Sequence, residues 1–410
     1  MTAGMSRAHR RVLGALAVAA SWSVVLVGAA QPAAADTQSK QWYLSAMQAE
    51  EMWKVTTGEG IKVAVVDTGV NSSTPSLRGQ VLKGVDVTGA PGDETDDYRG
   101  HGTTMAELIA GTGEGGGLKG LAPGAEIIPV RMSDASFMSK RRTVIGDMKK
   151  AIRAAADSDA QIINVSMADD FSQREAHEAV KYAESKGKLV IAGVGNGGDK
   201  ENRKQYPASY PEVVGVASAD RTGKVSYYSQ HSGSVDVASP GSDVPYWCDN
   251  SFKSYCDGDG GTSAATAIAS ASAALVWSLH PDWTANQVLN VLFDTAGRDW
   301  KDGTRSKYLG HGLIRPSMNV LKGKGEPGDP DISPLTKERT TGPVGSSEKP
   351  ADSASEQPAK NGAEADKPVA AEETKSSGDE SQLGLILGVA AVVVVLGGVA
   401  YAVVRRRKAA

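Results

Sequence analysis

The sequence predicts an α/β domain built on a doubly wound, mostly parallel sheet with helices on both faces. Three observations predict it. Short runs of β-branched and apolar residues recur at 61–66, 126–130, 162–167, 189–194 and 213–218 with little polar alternation, as in strands covered on both faces. Stretches with apolar residues at helical spacing, 144–157 and 175–186, lie between them. Strands alternating with helices in this way form right-handed βαβ units and hence a parallel sheet.

The flanks of the chain read differently. The chain has 410 residues, a formal charge of −4 and no Lys/Arg run interleaved with aromatics, so nothing points to a nucleic-acid partner. Residues 1–35 read as a signal peptide. Arg7, His9, Arg10 and Arg11 precede an apolar stretch over 12–30, and Ala33-Ala34-Ala35 offers a cleavage site before Asp36. A retained N-terminal anchor is the alternative, and either way the following domain leaves the cytoplasm. Residues 383–404 carry no charge and as a helix would measure about 33 Å, enough to cross a bilayer. Arg405-Arg406-Arg407-Lys408 follow, which places the tail 405–410 in the cytoplasm and the bulk of the protein outside. No Leu-Pro-x-Thr-Gly motif precedes this span, so a retained single-pass anchor in the cell membrane is expected. Residues 325–382 are rich in Pro, Glu, Ser, Lys, Ala and Asp and contain no aromatic residue. They read as a disordered tether with an end-to-end distance on the order of 40 Å. Residues 36–324 are left as the folded domain.

Within that domain a short helix is expected over 46–53. The first strand ends at Asp67, at the carboxyl edge where such sheets place their chemistry. A buried aspartate capping a turn is the other reading. The loop 86–98 is acidic, which suits calcium, but its spacing matches no metal-binding loop. It reads as solvated, and no cofactor or metal is expected. Gly100-His101-Gly102 opens a helix whose apolar face is Met105, Leu108 and Ile109. His101 is held between two glycines, as is His311, where solvent and backbone come close. The glycine-rich loop 113–117 has no Lys-Ser/Thr pair after it and is not a phosphate cradle. The fourth strand breaks into Gly193-Val194-Gly195-Asn196-Gly197. Cys248 and Cys256 are the two cysteines, and in an exported chain they are expected to pair. Just beyond them, Gly260-Gly261-Thr262-Ser263 feeds a small-residue helix that runs to about 279. There Ser263 has an exposed hydroxyl, and its N–H points where an anion is welcome. Alone, it reads equally well as the cap of a core helix.

Acyl transfer to water needs a nucleophile, a base, a group that orients the base and donors for the oxyanion. Ser263, His101, Asp67 and Asn196 supply one of each, in the chain order Asp, His, Asn, Ser. Four segments carry these residues: Val65-Val66-Asp67-Thr68-Gly69-Val70, His101-Gly102-Thr103, Gly195-Asn196 and Gly261-Thr262-Ser263. With them, and with Leu121-Ala122-Pro123-Gly124 and Tyr206-Pro207-Ala208-Ser209-Tyr210-Pro211, the sequence resembles the subtilisin-like serine proteases (peptidase family S8) from about residue 61 to 321. The layout of signal segment, protease domain, tether and span resembles the mycosins, the membrane-anchored subtilases of type VII secretion in actinobacteria.

The resemblance implies that Ser263 attacks the scissile carbonyl, His101 shuttles the proton and Asp67 orients His101. It implies an oxyanion hole of the Asn196 amide and the Ser263 N–H. Ser166-Met167-Ala168 and Gly193-Val194-Gly195 would flank the S1 pocket and pair with the substrate backbone. The implied partners are a peptide or protein substrate, the membrane and type VII secretion components. There are departures. Ala267 stands where the family has proline, and Ala168 stands where it tends to have glycine. Residues 36–60 are too few for the usual inhibitory prodomain. A lipase or esterase of the α/β-hydrolase type fails on order, since that fold runs Ser, acid, His. The implied function is a membrane-anchored, extracytoplasmic serine endopeptidase. The alternative is a protease-like scaffold that steadies a secretion complex with little or no cleavage.

Overall fold

The expected alternation of buried strands and helices is present. The computed structural model describes residues 37–134, 144–145, 147–301 and 303–340, all within one compact unit. Its main sheet contains β1 (Lys62–Asp67), β2 (Val85–Asp86), β3 (Glu126–Arg131), β6 (Ile162–Val165), β7 (Leu189–Gly193), β8 (Val214–Ala219) and β9 (Val237–Pro240). Their order is β2-β3-β1-β6-β7-β8-β9, and every pairing is parallel. The short pair β4 (Ser133–Asp134) and β5 (Val144–Ile145) is antiparallel.

Strand alternation divides the core in two. Val63, Val65, Ile127, Ile162, Leu189 and Ile191 point to one face. Ala64, Val66, Ile128, Ile163, Val190 and Ala192 point to the other. The second face is covered by α4 (Met148–Asp157) and α5 (Arg174–Ser185) through Ala151, Ile152, Ala155, Ala179, Val180 and Ala183. The first is covered by α3 (His101–Ala110), α6 (Gly261–Leu279) and α7 (Ala285–Asp294). Helix α6 touches β6, β7, β8 and β9 as well as α3. Its alanines and serines permit that approach, and Ala267 continues the helix without a break. By length and composition α6 could cross a membrane, but most of it is buried inside the body. The chain turns from β3 and β1 to β6 at the centre of the sheet, so the carboxyl ends of β1 and β6 flank the switch in strand order where α/β sheets form clefts.

Several boundaries differ from the sequence reading. The helix expected over 46–53 is two helices, α1 (Trp42–Ala46) and α2 (Ala49–Met52), because Gln48 takes a left-handed conformation (φ 62°, ψ 41°) that breaks the run. The helix expected from 144 starts at Met148. Val144 and Ile145 pair with β4, and the Asp147 carboxylate caps the new start by accepting from the Lys149 N–H at 3.0 Å. Residues 325–340, expected to open the tether, are folded onto the body. Residues 325–340 form a strap over α7, where Asn290 and Asn286 donate to the carbonyls of Pro327 and Pro330. Ser333 is buried and Leu335 packs on the core. Two isolated apolar residues, Ile332 and Leu335, are too weak a pattern to announce this. The signal segment 1–35, residues 341–382 of the tether, the span 383–404 and the tail 405–410 lie outside the described residues.

Residues 42–52 are an integral part of the body: Tyr43, Ala49 and Met52 are fully buried against the core. Deleting most of a buried methionine side chain costs about 2–5 kcal/mol. Urea denaturation of Met52→Ala is expected to show a loss in that range.

Candidate active site

Alternation places Asp67 on the same face of β1 as Val63 and Val65, beneath α3 and α6. It is fully buried. Its Oδ1 lies 2.7 Å from His101 Nδ1 and accepts from the Thr68 N–H at 2.7 Å. His101 is the first residue of α3, and its side chain is 37% exposed, so one ring edge is held while the other meets solvent. Gly102 permits this approach, since a Cβ there would lie 2.1 Å from the Gly69 carbonyl oxygen.

A residue that the sequence reading passed over fixes the start of α3. Asp97, placed there in a solvated acidic loop, is buried. Its carboxylate accepts from the N–H groups of Arg99, Gly100 and Thr103 and from the hydroxyls of Thr68 and Thr103, at 2.7–2.9 Å. Three of these donors are backbone groups at a helix N-terminus, where no intrahelical acceptor exists. The available signal was an aspartate set three residues before a Gly-His-Gly helix start. Elsewhere in the loop, buried Arg131 donates to Asp86 at 2.9 Å and to the carbonyls of Pro91 and Asp93. Among the described residues no three His, Cys, Asp or Glu side chains are grouped to hold a metal ion.

Ser263 lies in the first turn of α6 and is half-buried. Its hydroxyl donates to the Ser166 carbonyl at 3.3 Å, and the Ser166 hydroxyl donates to the Ser263 carbonyl at 3.3 Å. Asn196, exposed after β7, accepts from the Thr262 N–H at 2.9 Å through Oδ1. Gly261, at φ 72°, brings its backbone against that amide; a Cβ there would lie 2.7 Å from Asn196 Nδ2. Asn196 and Ser263 thus sit side by side at a helix N-terminus, the end that carries partial positive charge.

The sequence pattern of the subtilase family, Peptidase_S8, matches residues 58–312. The chain belongs to the subtilase family. Thermitase from Thermoactinomyces vulgaris is 37% identical over 206 residues, 50% of this chain and 71% of the relative. MycP1 from Mycobacterium smegmatis, a solved structure, superposes with a TM-score of 0.61 at 26% identity, covering 72% of this chain and 88% of that one. The MycP3 protease of the type VII (ESX-3) secretion system gives 0.57 at 26% identity, covering 68% and 87%.

In this subtilase one cavity is lined by Ser263 and a second by His101. One, of about 500 Å³, is bounded by Ser166, Met167, Ala168, Gly193, Gly195 and Asn196, with Ser263 at its edge. Val194 is not among its walls. It alternates to the opposite face and is buried in the second core, which corrects the expectation that it flanks the pocket. Gln230, which pattern reading did not mark, closes the wall behind Gly195. It donates to the Arg203 carbonyl, and its Oε1 occupies the space a Gly195 side chain would need. The second cavity, of about 490 Å³, is lined by His101, Gly260 and residues 246–250, the first half of the hairpin of β10 (Tyr246–Trp247) and β11 (Tyr255–Cys256). Cys248 and Cys256 form a disulfide in that hairpin.

Burial by itself would lower the His101 pKa. The charge and hydrogen bond of Asp67, with the charge of Asp97, outweigh burial and hold it above the ordinary 6.5. The folded state therefore favours the imidazolium. Stability from this pair is fully present below the unfolded value and is lost as pH rises through the folded one. An NMR titration is expected to place His101 above 6.5. Asp67→Asn removes the largest raising contribution and should move the midpoint down.

Proposed function

We propose that this subtilase is a membrane-anchored, extracytoplasmic serine endopeptidase working through an acyl-enzyme on Ser263. One observation carries the reading: the 2.7 Å contact between His101 Nδ1 and Asp67 Oδ1, at the sheet edge where α6 presents Ser263. A carboxylate only accepts, so Asp67 holds the hydrogen on Nδ1 and leaves a lone pair on Nε2. The Ser263 hydroxyl turns from the Ser166 carbonyl to Nε2, gives up its proton and attacks the scissile carbonyl. The Asn196 amide and the Ser263 N–H receive the charge that develops on the carbonyl oxygen. His101 then protonates the departing amine, and water repeats the sequence on the acyl group. Ser166-Met167-Ala168 and Gly193 with Gly195 receive the acyl side of the substrate.

Anchoring is supported by the uncharged stretch 383–404 and the basic residues after it, and export by the segment 1–35. Likeness to MycP1 and MycP3, proteins of type VII secretion systems, supports a place beside such a system.

A fluorophosphonate probe is expected to label the wild type covalently and to leave Ser263→Ala unlabelled. Labelling of the variant, or none of the wild type, would sink the acyl-enzyme reading. Asn196→Ala is expected to lower kcat by about 10²–10³-fold, the loss seen when one oxyanion donor is removed from a subtilisin, with a smaller change in KM.

A further inference from the structure

We propose that the disulfide hairpin, residues 246–256, walls a second substrate subsite that takes a basic side chain from the leaving-group side of the scissile bond. This rests on the proteolytic reading above. The site is divided between two cavities. Ser263 and Asn196, which hold the acyl carbon and its oxygen, line the first. His101, which hands the proton to the departing amine, lines the second. The acyl half of a cleaved peptide stays on the serine while the amine half leaves beside the histidine. The residues after the scissile bond therefore run along the second cavity.

The wall of that cavity is held in fixed register with His101. The Trp247 N–H donates to Thr104 Oγ1 at 3.1 Å, and the Tyr255 hydroxyl donates to Glu107 Oε2 at 2.6 Å. Thr104 and Glu107 both belong to α3, the helix that begins at His101. Glu107 is fully buried and also accepts from the Thr74 hydroxyl at 2.9 Å. Inside the hairpin the Trp247 and Tyr255 rings stack at 3.8 Å, Phe252 meets Trp247 edge-on at 5.4 Å, and Cys248 and Cys256 close the loop. A wall clamped this way selects by shape and charge, because it cannot move aside at small cost.

Its chemistry indicates the occupant. The cavity lining includes the aromatic Tyr98, Tyr246 and Trp247, the acidic Asp249 and Asp259, and the basic Arg99. With His101 neutral, two negative charges face one positive. A lysine or arginine can lay its aliphatic stem on the rings and bring its cation to the carboxylates. A glutamate would meet a net like charge.

The test uses the ectodomain-bearing full chain in detergent. Peptides share one acyl half and carry Lys, Ala or Glu at the first and second positions after the scissile bond. A p-nitroanilide of the same acyl half has no residue there. Lysine peptides are expected to exceed glutamate peptides in kcat/KM by about tenfold at one of the two positions, the scale of one charge-pair preference. Asp259→Asn should shrink that ratio about threefold or more. Tyr255→Phe, which keeps the ring stack and removes the bond to Glu107, should lower peptide kcat/KM relative to the p-nitroanilide. A flat Lys/Glu ratio, or one unmoved by Asp259→Asn, with both substrate types hydrolysed, overturns this inference alone. Hydrolysis of neither substrate type overturns the proteolytic reading, and this one with it.

Discussion

A fully buried carboxylate at the end of β1 is the constraint on which the rest of the structure turns. Removing an ionised group from water costs several kcal/mol unless partners replace the lost solvation. Asp67 has two such partners on Oδ1, the His101 ring and the Thr68 N–H. Keeping the first of them in place requires the start of α3 to sit tightly against the strand end. Three features meet that requirement. Gly102 lets the helix backbone reach the Gly69 carbonyl. The Thr68 hydroxyl accepts from the Gly102 N–H at 3.0 Å and donates to Asp97 at 2.8 Å. Asp97 then gathers the unpaired donors of the helix start. The orientation of one imidazole is thus set by backbone geometry and two successive layers of hydrogen bonds.

Those layers explain what could be read in advance. Asp67, His101, Asn196 and Ser263 left marks in the sequence because each sits where the backbone itself is unusual. One closes an apolar strand, and the others are flanked by glycines that a close approach or a left-handed turn requires. The sheet was legible for a similar reason, since strands buried on both faces must be apolar throughout. Asp97 was not legible, because its role comes from donors on a helix that starts after it, and an acidic loop looks the same whether solvated or folded inward. Gln230 was hidden by distance along the chain: it matters through Gly195, and nothing near position 230 announces that contact. Val194 was misplaced by treating Gly193-Val194-Gly195 as a unit, whereas alternation sends its side chain away from the cavity. Strand β9 was missed because Val237–Pro240 is short and ends in proline, a residue that is rare inside sheets.

Ser263 is restrained in a way that the motif alone does not convey. Ser263 and Ser166 exchange two hydrogen bonds between their hydroxyls and carbonyls. They tie the first turn of α6 to the end of β6. Asn164 strengthens that tie by donating to the Ser166 hydroxyl at 3.0 Å and accepting from the Ser270 hydroxyl at 3.0 Å. The helix start is therefore held to the central strand from one side and to Asn196 from the other. Such preorganisation is what an oxyanion site requires, because donors already aimed at the developing charge need not reorganise as it appears.

Helix α6 also holds the segment before β1 to the body near both of its ends. Nineteen residues long, it measures about 28 Å at the usual helical rise. Ser263 lies at its first turn, and near that turn the N-terminal segment is fastened by the Trp42 indole, which donates to the Ser242 carbonyl at 3.0 Å, and by Lys40, which pairs with Asp257 at 3.2 Å. At its last turn the Thr56 and Ser278 hydroxyls meet at 2.7 Å, so the later part of the same segment is fastened to the helix end. Trp277 and Trp283 border the recess that Ser333 and Leu335 of the strap help to close. A pull on the strap is met first by Asn286, Asn290 and Thr284 on or next to α7. Both flanking segments thus bind the body firmly, the N-terminal one near each end of α6 and the strap along α7.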